Sequence, residues 1–173
     1  MKGHPGGREH TLALLRRSGL TPPAKVLDMG AGGGEALELL NRQGFEALGI
    51  DLAPRHPDVV PGNFLHTSYP ADTFDGILTQ CAFYASGDPQ AAFREAHRLL
   101  KPGGILMLSD VWEASVPLAI PGFTLESVED LTPLWREYYL EALWKEDCVP
   151  LPRGKKFRYL AIIAQKEEQY GPV

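Results

Sequence analysis

The chain has 173 residues, of which 44% are hydrophobic and 23% charged, a balance that suits one globular domain with one core. Its formal net charge of −5 argues against a nucleic-acid footprint, because the one basic cluster (Arg153, Lys155, Lys156, Arg158) is small and reads as a solvated hairpin or strand edge. Cys81 and Cys148 lie far apart without metal-ligand spacing, and neither an apolar signal core nor a membrane-length run is present, so a cytoplasmic protein with free thiols, no metal and no membrane contact is expected.

Arg8–Ser18 sets Leu12, Leu14 and Leu15 among charged residues at helical spacing, and Gly19 supplies a stop. Thr21-Pro22-Pro23 breaks the chain before Lys25–Met29, a short buried strand that runs into the glycines Gly30, Gly32, Gly33 and Gly34. A helix follows over about Glu35–Gln43, so the glycines occupy a strand-to-helix corner that would present free backbone N–H groups and admit a ligand close to the main chain. Phe45–Asp51 is a second strand ending in a carboxylate. Pro54 and Pro57 leave no room for a helix before the third strand, which starts at Val59-Val60 and ends at Pro61-Gly62-Asn63-Phe64.

Phe74–Gln80 reads as the fourth strand, and Asp88-Pro89 opens a helix whose apolar face holds Phe93, Ala96, Leu99 and Leu100. Lys101-Pro102-Gly103-Gly104 should stop that helix before a fifth strand, Ile105–Leu108, that leads to Asp110. Gly122–Asp130 alternates as a strand, Thr132-Pro133 caps a helix to about Lys145, and Phe157–Ala164 is the last strand. The helix from Thr132 has a wide apolar face and should lie on the sheet or cover a pocket. The order predicts an α/β fold in a single domain spanning 1–173, with a mostly parallel sheet and an antiparallel edge. Within it, 1–20 is an N-terminal segment and helix, 24–110 a ligand-binding core, and 111–173 the substrate side.

In such a sheet ligands bind outside the carboxyl ends of the strands. Asp28, Asp51, Asn63, Gln80-Cys81 and Asp110 all fall at expected carboxyl ends, so five strands deliver polar groups to one edge. An acid ending the second strand suits the two hydroxyls of a ribose. A dinucleotide fingerprint begun at Gly30 and Gly32 would need glycine where Glu35 stands, and no Lys-Ser/Thr follows the glycines. Glu35 adds negative charge where a pyrophosphate would want positive. A ligand with adenine and ribose but no phosphate, carrying a sulfonium and an ammonium, fits the acid-rich edge better.

These residues resemble the class I S-adenosylmethionine-dependent methyltransferases, and within them the type 11 branch of ubiquinone- and menaquinone-biosynthesis-like enzymes. The likeness covers most of Ala24–Asp110, through Val26–Gly34, Gly49–Leu52, Gly62–Asp75 and Leu99–Leu108. It implies a Rossmann-like, seven-stranded fold and methyl transfer from S-adenosyl-L-methionine to a small-molecule nucleophile, leaving S-adenosyl-L-homocysteine. By the resemblance, Gly30, Ala31 and Gly32 lie against the methionine part and Asp28 orients its amino group. Asp51 takes the ribose hydroxyls and Leu52 packs on adenine. Asn63 stands where the family often has aspartate toward the adenine amino group, Phe64 offers its N–H to the ring, and Gln80 and Cys81 border the methionine and the acceptor.

The chain departs from the family in lacking full helices in Leu52–Pro57 and Val111–Pro121, which should leave one face of the sheet thinly covered. A homodimer contact or the Thr132–Lys145 helix could cover it. Substrate-side candidates are His4, Phe83, Tyr84, Asp110 and Trp112, with Cys81 also near the methyl group. His10, His56, His66 and His97 are read as surface histidines. A catalytically silent cofactor-binding module and a nicotinamide-dependent oxidoreductase are the alternatives.

Overall fold

A computed structural model of the protein describes residues 3–145 and 151–168; Cys148 and the first part of the loop expected over 147–155 lie outside them. Its elements are α1 (Gly7–Ser18), β1 (Lys25–Met29), α2 (Glu35–Arg42), β2 (Glu46–Asp51), β3 (Val59–Pro61), β4 (Phe74–Gln80), α3 (Pro89–Leu99), β5 (Leu100–Glu113), β6 (Phe123–Asp130), α4 (Thr132–Trp144) and β7 (Phe157–Lys166). The strands form one seven-stranded sheet in the order β3-β2-β1-β4-β5-β7-β6. β3, β2, β1, β4 and β5 pair in parallel, while β7 runs antiparallel to both β5 and β6. The antiparallel character is thus confined to one end of the sheet, with β7 one position in from the edge.

Side chains alternate across the strands, so each strand feeds two cores. On one face Val26, Leu78, Met107, Ala161 and Ile163 meet Leu14 and Leu15 of α1 and Leu40 of α2. On the other, Leu27, Met29, Ile77, Leu106 and Leu108 meet Phe93, Ala96 and Leu99 of α3. Each fully buried Leu or Ile contributes about 1.5–3 kcal/mol. α4 lies on the α1 side, where Trp135 stacks 6.4 Å from Tyr159. The α3 face has one helix, with the chain around Phe64 and Ile120 packed beside it.

Local chemistry explains the boundaries. Gly19 closes α1 at φ +68°, and the Asp88 carboxylate accepts from Ala91 N–H at 2.9 Å with Pro89 at the first helical position. Three expectations change. β5 is 14 residues long and includes Lys101-Pro102-Gly103-Gly104, so Asp110 lies within a strand rather than after one. The register with β4 slips between Phe74 and Gly76, and that irregularity accommodates the proline and glycines. Thr132 does not cap α4; its backbone N–H and hydroxyl bond to the Asp130 carboxylate, and its Oγ1 accepts from Tyr159 N–H at 3.0 Å. His10 is buried, against Gly6 and 6.0 Å from the His4 ring; only His66 of the four histidines is fully at the surface.

Candidate functional site

The corner after β1 is a closed turn rather than a nest of free donors. Gly30 and Ala31 N–H both donate to Ile50 O, at 2.9 and 3.1 Å, and Gly34 N–H donates to Ala31 O at 2.7 Å. Gly32 N–H donates to Asp51 Oδ2 at 2.9 Å. The expectation of a bare anion-binding corner is corrected: β2 pairs with β1 so closely that its Ile50 carbonyl and its terminal acid take up most of these donors. Gly30 sits at φ +87°, and a Cβ there would lie 2.4 Å from Ala82 Cβ. Only glycine lets the β1 and β4 turns meet this closely.

Carboxylates face the turn together with the Arg55 guanidinium, whose Nη2 would lie 3.2 Å from a Cβ at Gly32. Asp28 is 4% exposed, none of the described residues donates to its side chain, and burial with Asp51 and Glu35 nearby pushes its pKa up to about 7. A Cβ at Gly33 would lie 2.8 Å from Glu35 Oε2, so Glu35 folds back over the turn. Asp51 Oδ1 accepts from Ala53 N–H at 2.9 Å, and the next residue, Leu52, is 71% exposed. The short β2–β3 connection returns onto the turn through Arg55 N–H, 2.9 Å from Gly32 O. One buried acid, with the half-buried Asp51 and the exposed Glu35 beside it and an exposed leucine next to them, suits a cationic ligand with an apolar ring, and an unpaired carboxylate as deep as Asp28 favours an ammonium.

At the β3 end the Asn63 side-chain oxygen caps Leu65 N–H at 2.9 Å, so its carbonyl already serves its own turn. Phe64 is buried with its ring 5.8 Å from that of Phe83, and no described residue accepts from its N–H. At the β4 end Gln80 joins His4 and Thr11 in a closed ring. Thr11 Oγ1 donates to Gln80 Oε1 at 3.1 Å, His4 Nε2 lies 3.1 Å from Thr11 Oγ1, and Gln80 Nε2 lies 3.2 Å from His4 Nδ1. A neutral imidazole with its proton on Nε2 satisfies these three, while Nδ1 also faces Pro5 O at 3.1 Å, and burial lowers the His4 pKa against the opposing effect of that carbonyl. Sequence spacing gave no hint of Thr11, 69 positions from Gln80.

Cys81, expected to border the ligand, is held by neighbours within the protein. It adopts φ +57°, its N–H donates to Ser109 O at 2.9 Å, and its Sγ lies 3.2 Å from Tyr159 Oη. The left-handed backbone turns the thiol toward Tyr159 and the Trp135 cluster, and burial raises its pKa to about 12. Phe83, Tyr84, Asp110 and Trp112 come together around a cavity of about 200 Å³ at the carboxyl ends of β4 and β5. Asp110 forms part of its lining, accepting from Tyr84 N–H at 3.0 Å and Val111 N–H at 2.8 Å; burial raises its pKa to about 6 against the opposing effect of these bonds. His4 is not part of this lining.

A model of the methyltransferase domain family matches residues 8–158. The chain belongs to that family. It is similar to a ubiquinone biosynthesis O-methyltransferase of Xanthomonas campestris pv. campestris (strain B100), 31% identical over 133 residues that make up 68% of this chain and 56% of that protein. It also resembles a demethylmenaquinone methyltransferase of Corynebacterium urealyticum, 31% identical over 154 residues, 84% of this chain and 62% of that one. The chain therefore spans little more than half the length of these relatives. Among solved structures, Haemonchus contortus phosphoethanolamine N-methyltransferase 2 in complex with S-adenosyl-L-methionine superposes with a TM-score of 0.70 at 18% identity, covering 96% of this chain and 54% of that one. Such a likeness establishes the shared Rossmann-like sheet. Among the described residues no helix is long and apolar enough to cross a membrane, and no group of three or more His, Cys, Asp or Glu is arranged to hold a metal.

Proposed function

We propose that the chain is one methyltransferase domain, acting in the cytoplasm, that transfers the methyl group of S-adenosyl-L-methionine to a small-molecule nucleophile. The observation that carries this reading is the buried, unpartnered Asp28 carboxylate beneath a glycine turn most of whose N–H groups are already taken. The ammonium of the methionine moiety would pair with Asp28, whereas a pyrophosphate would be repelled by that carboxylate. Family membership over residues 8–158 supports the same conclusion.

When bound, the cofactor supplies a methyl carbon activated by a sulfonium; the protein's part is to bind, orient and exclude water. Asp28 holds the ammonium, Gly30, Ala31 and Gly32 lie along the methionine chain, and Asp51 accepts from the ribose hydroxyls. Leu52 covers one adenine face, the Phe64 N–H addresses its edge, and Gln80 fixes His4 over the methionine end. The acceptor approaches from the cavity at Asp110. A homodimer formed through the exposed Leu140, Leu143 and Trp144 of α4 accompanies this reading.

Calorimetry with S-adenosylhomocysteine and with NADH, joined to turnover of S-adenosylmethionine against a thiol, phenol and amine panel, tests it. Binding of S-adenosylhomocysteine together with turnover is the expected result. Binding of NADH alone would overturn the reading, and tight S-adenosylhomocysteine binding without turnover on any acceptor would leave a binding module.

A further inference from the structure

The cavity at the β4 and β5 ends has a chemistry of its own. Three rings line it at steep mutual inclinations: Phe83 and Phe93 lie 5.2 Å apart at 81°, and Phe93 and Trp112 6.3 Å apart at 54°. Asp110 completes this wall, 6% exposed, its oxygens held by backbone N–H groups on the protein side. The second acid of the lining, Glu113, is already paired with Lys155 at 2.8 Å. The Trp112 indole N–H is spent on Val116 O at 3.1 Å. No lysine, arginine or histidine lines the cavity among the described residues.

An anionic acceptor would meet a carboxylate and no cation. A neutral hydrocarbon would leave Asp110 buried without a counter-charge. An ammonium satisfies both demands, with its charge against Asp110 and its alkyl groups against ring faces, the arrangement by which aromatic cages hold cations. At about 200 Å³ the cavity is smaller than the roughly 300–1,000 Å³ of drug-sized sites, which suits the head of an aliphatic amine.

Resting on the reading of the chain as a methyltransferase, we propose that its acceptor is an aliphatic amine, bound as an ammonium between Asp110 and the Phe83, Phe93 and Trp112 rings. Asp110 takes one proton from the ammonium and frees the nitrogen lone pair. The nitrogen forms a bond to the methyl carbon as the carbon–sulfur bond breaks, and that bond's electron pair stays on sulfur. The product is the N-methylated ammonium and S-adenosylhomocysteine, and the proton leaves Asp110 for solvent. No oxidant or reductant is needed.

The test uses the whole chain saturated with S-adenosylhomocysteine, and two probes that cannot be methylated at nitrogen: choline and its neutral isostere 3,3-dimethylbutan-1-ol. Choline should bind about tenfold more tightly, as expected for a desolvated cation against rings and a carboxylate. Asp110→Asn should abolish that preference, and Trp112→Leu should reduce it in case the first variant folds poorly. Equal affinity of the wild-type chain for the two probes would overturn the proposal, as would faster turnover of catechols than of amines. The saturating step separates the two readings: if S-adenosylhomocysteine binds and choline shows no preference, only the amine assignment falls, whereas absence of S-adenosylhomocysteine binding removes the methyltransferase reading itself.

Discussion

Replacing Asp28 by asparagine should make the free protein more stable and its cofactor complex weaker. The folded chain holds this carboxyl at a pKa of about 7, against an ordinary 3.8, because ionising it in place means burying a charge beside Asp51 and Glu35. Below pH 3.8 the group is protonated both folded and unfolded, so burial costs no ionisation energy. As pH rises toward 7 the unfolded chain gains charge that the folded one resists, and above pH 7 the penalty is complete. The interval from 3.8 to about 7, at about 1.4 kcal/mol per pH unit, corresponds to about 4 kcal/mol.

An amide carries no charge at any pH, so Asp28→Asn should match the wild type near pH 4 and exceed it at pH 8. At about 2–4 °C per kcal/mol for a chain of this size, the melting temperatures should diverge by roughly 8–16 °C. The same charge that destabilises the free protein is the one the ammonium would meet. S-adenosylhomocysteine should therefore bind the variant about tenfold or more weakly at pH 8, taking about 1.4 kcal/mol or more for a charge-assisted bond. Melting from pH 4 to 8, and calorimetry at pH 6 in two buffers of different ionisation enthalpy, measure both effects. In the wild type, binding should release protons as Asp28 ionises. Parallel melting curves across this range would refute the reasoning.

Asp51→Ala should weaken S-adenosylhomocysteine by about 1–3 kcal/mol, roughly 5- to 150-fold, and Asp51→Asn by less, because an amide oxygen still accepts from Gly32 N–H; unchanged affinity in calorimetry removes Asp51 from the site. Gly30→Ala should lose at least about 1–2 kcal/mol from its left-handed backbone, and more from the 2.4 Å approach to Ala82; urea melts should show that Ala82→Gly recovers only the steric part. With the thiol of Cys81 held up to about 12, iodoacetamide at pH 8 should leave it unmodified in a Cys148→Ser chain and alkylate it once urea unfolds the protein, as mass spectrometry would show.

Much of the fold was legible because its signals are local. Lys25–Met29 and Phe74–Gln80 are bounded as their apolar runs suggest, and Asp88-Pro89 starts α3 through a bond four residues long. The proline-rich β2–β3 connection forms no helix. Some of the misread places depend on partners far along the chain, others on how a nearby turn closes. β5 runs straight through Lys-Pro-Gly-Gly because β4 offers it a slipped register. His10 is buried because the segment before α1 folds over it. Of the groups expected at carboxyl ends, Asp28 and Asp51 lie close together, whereas Asn63 turns to its own loop and Cys81 to Tyr159, since a backbone angle and a neighbour's hydroxyl decide where each side chain points. The His4–Thr11–Gln80 ring joins residues 69 and 76 positions apart, and no spacing rule reaches that far.

The place of β7 governs the order in which the molecule can be completed. Among the described residues β6 pairs with β7 alone, and β5 presents its outer edge to β7 from Ile105 to Glu113. During synthesis both strands are made before Phe157–Lys166 exists to pair with them. Until then β5 has an open, largely apolar edge, and β6 has no hydrogen-bonding neighbour. Such edges recruit other chains, so the interval before β7 emerges is when this protein is most exposed to aggregation. A ribosome stalled short of Phe157 would hold a β5 edge that no part of its own chain can close.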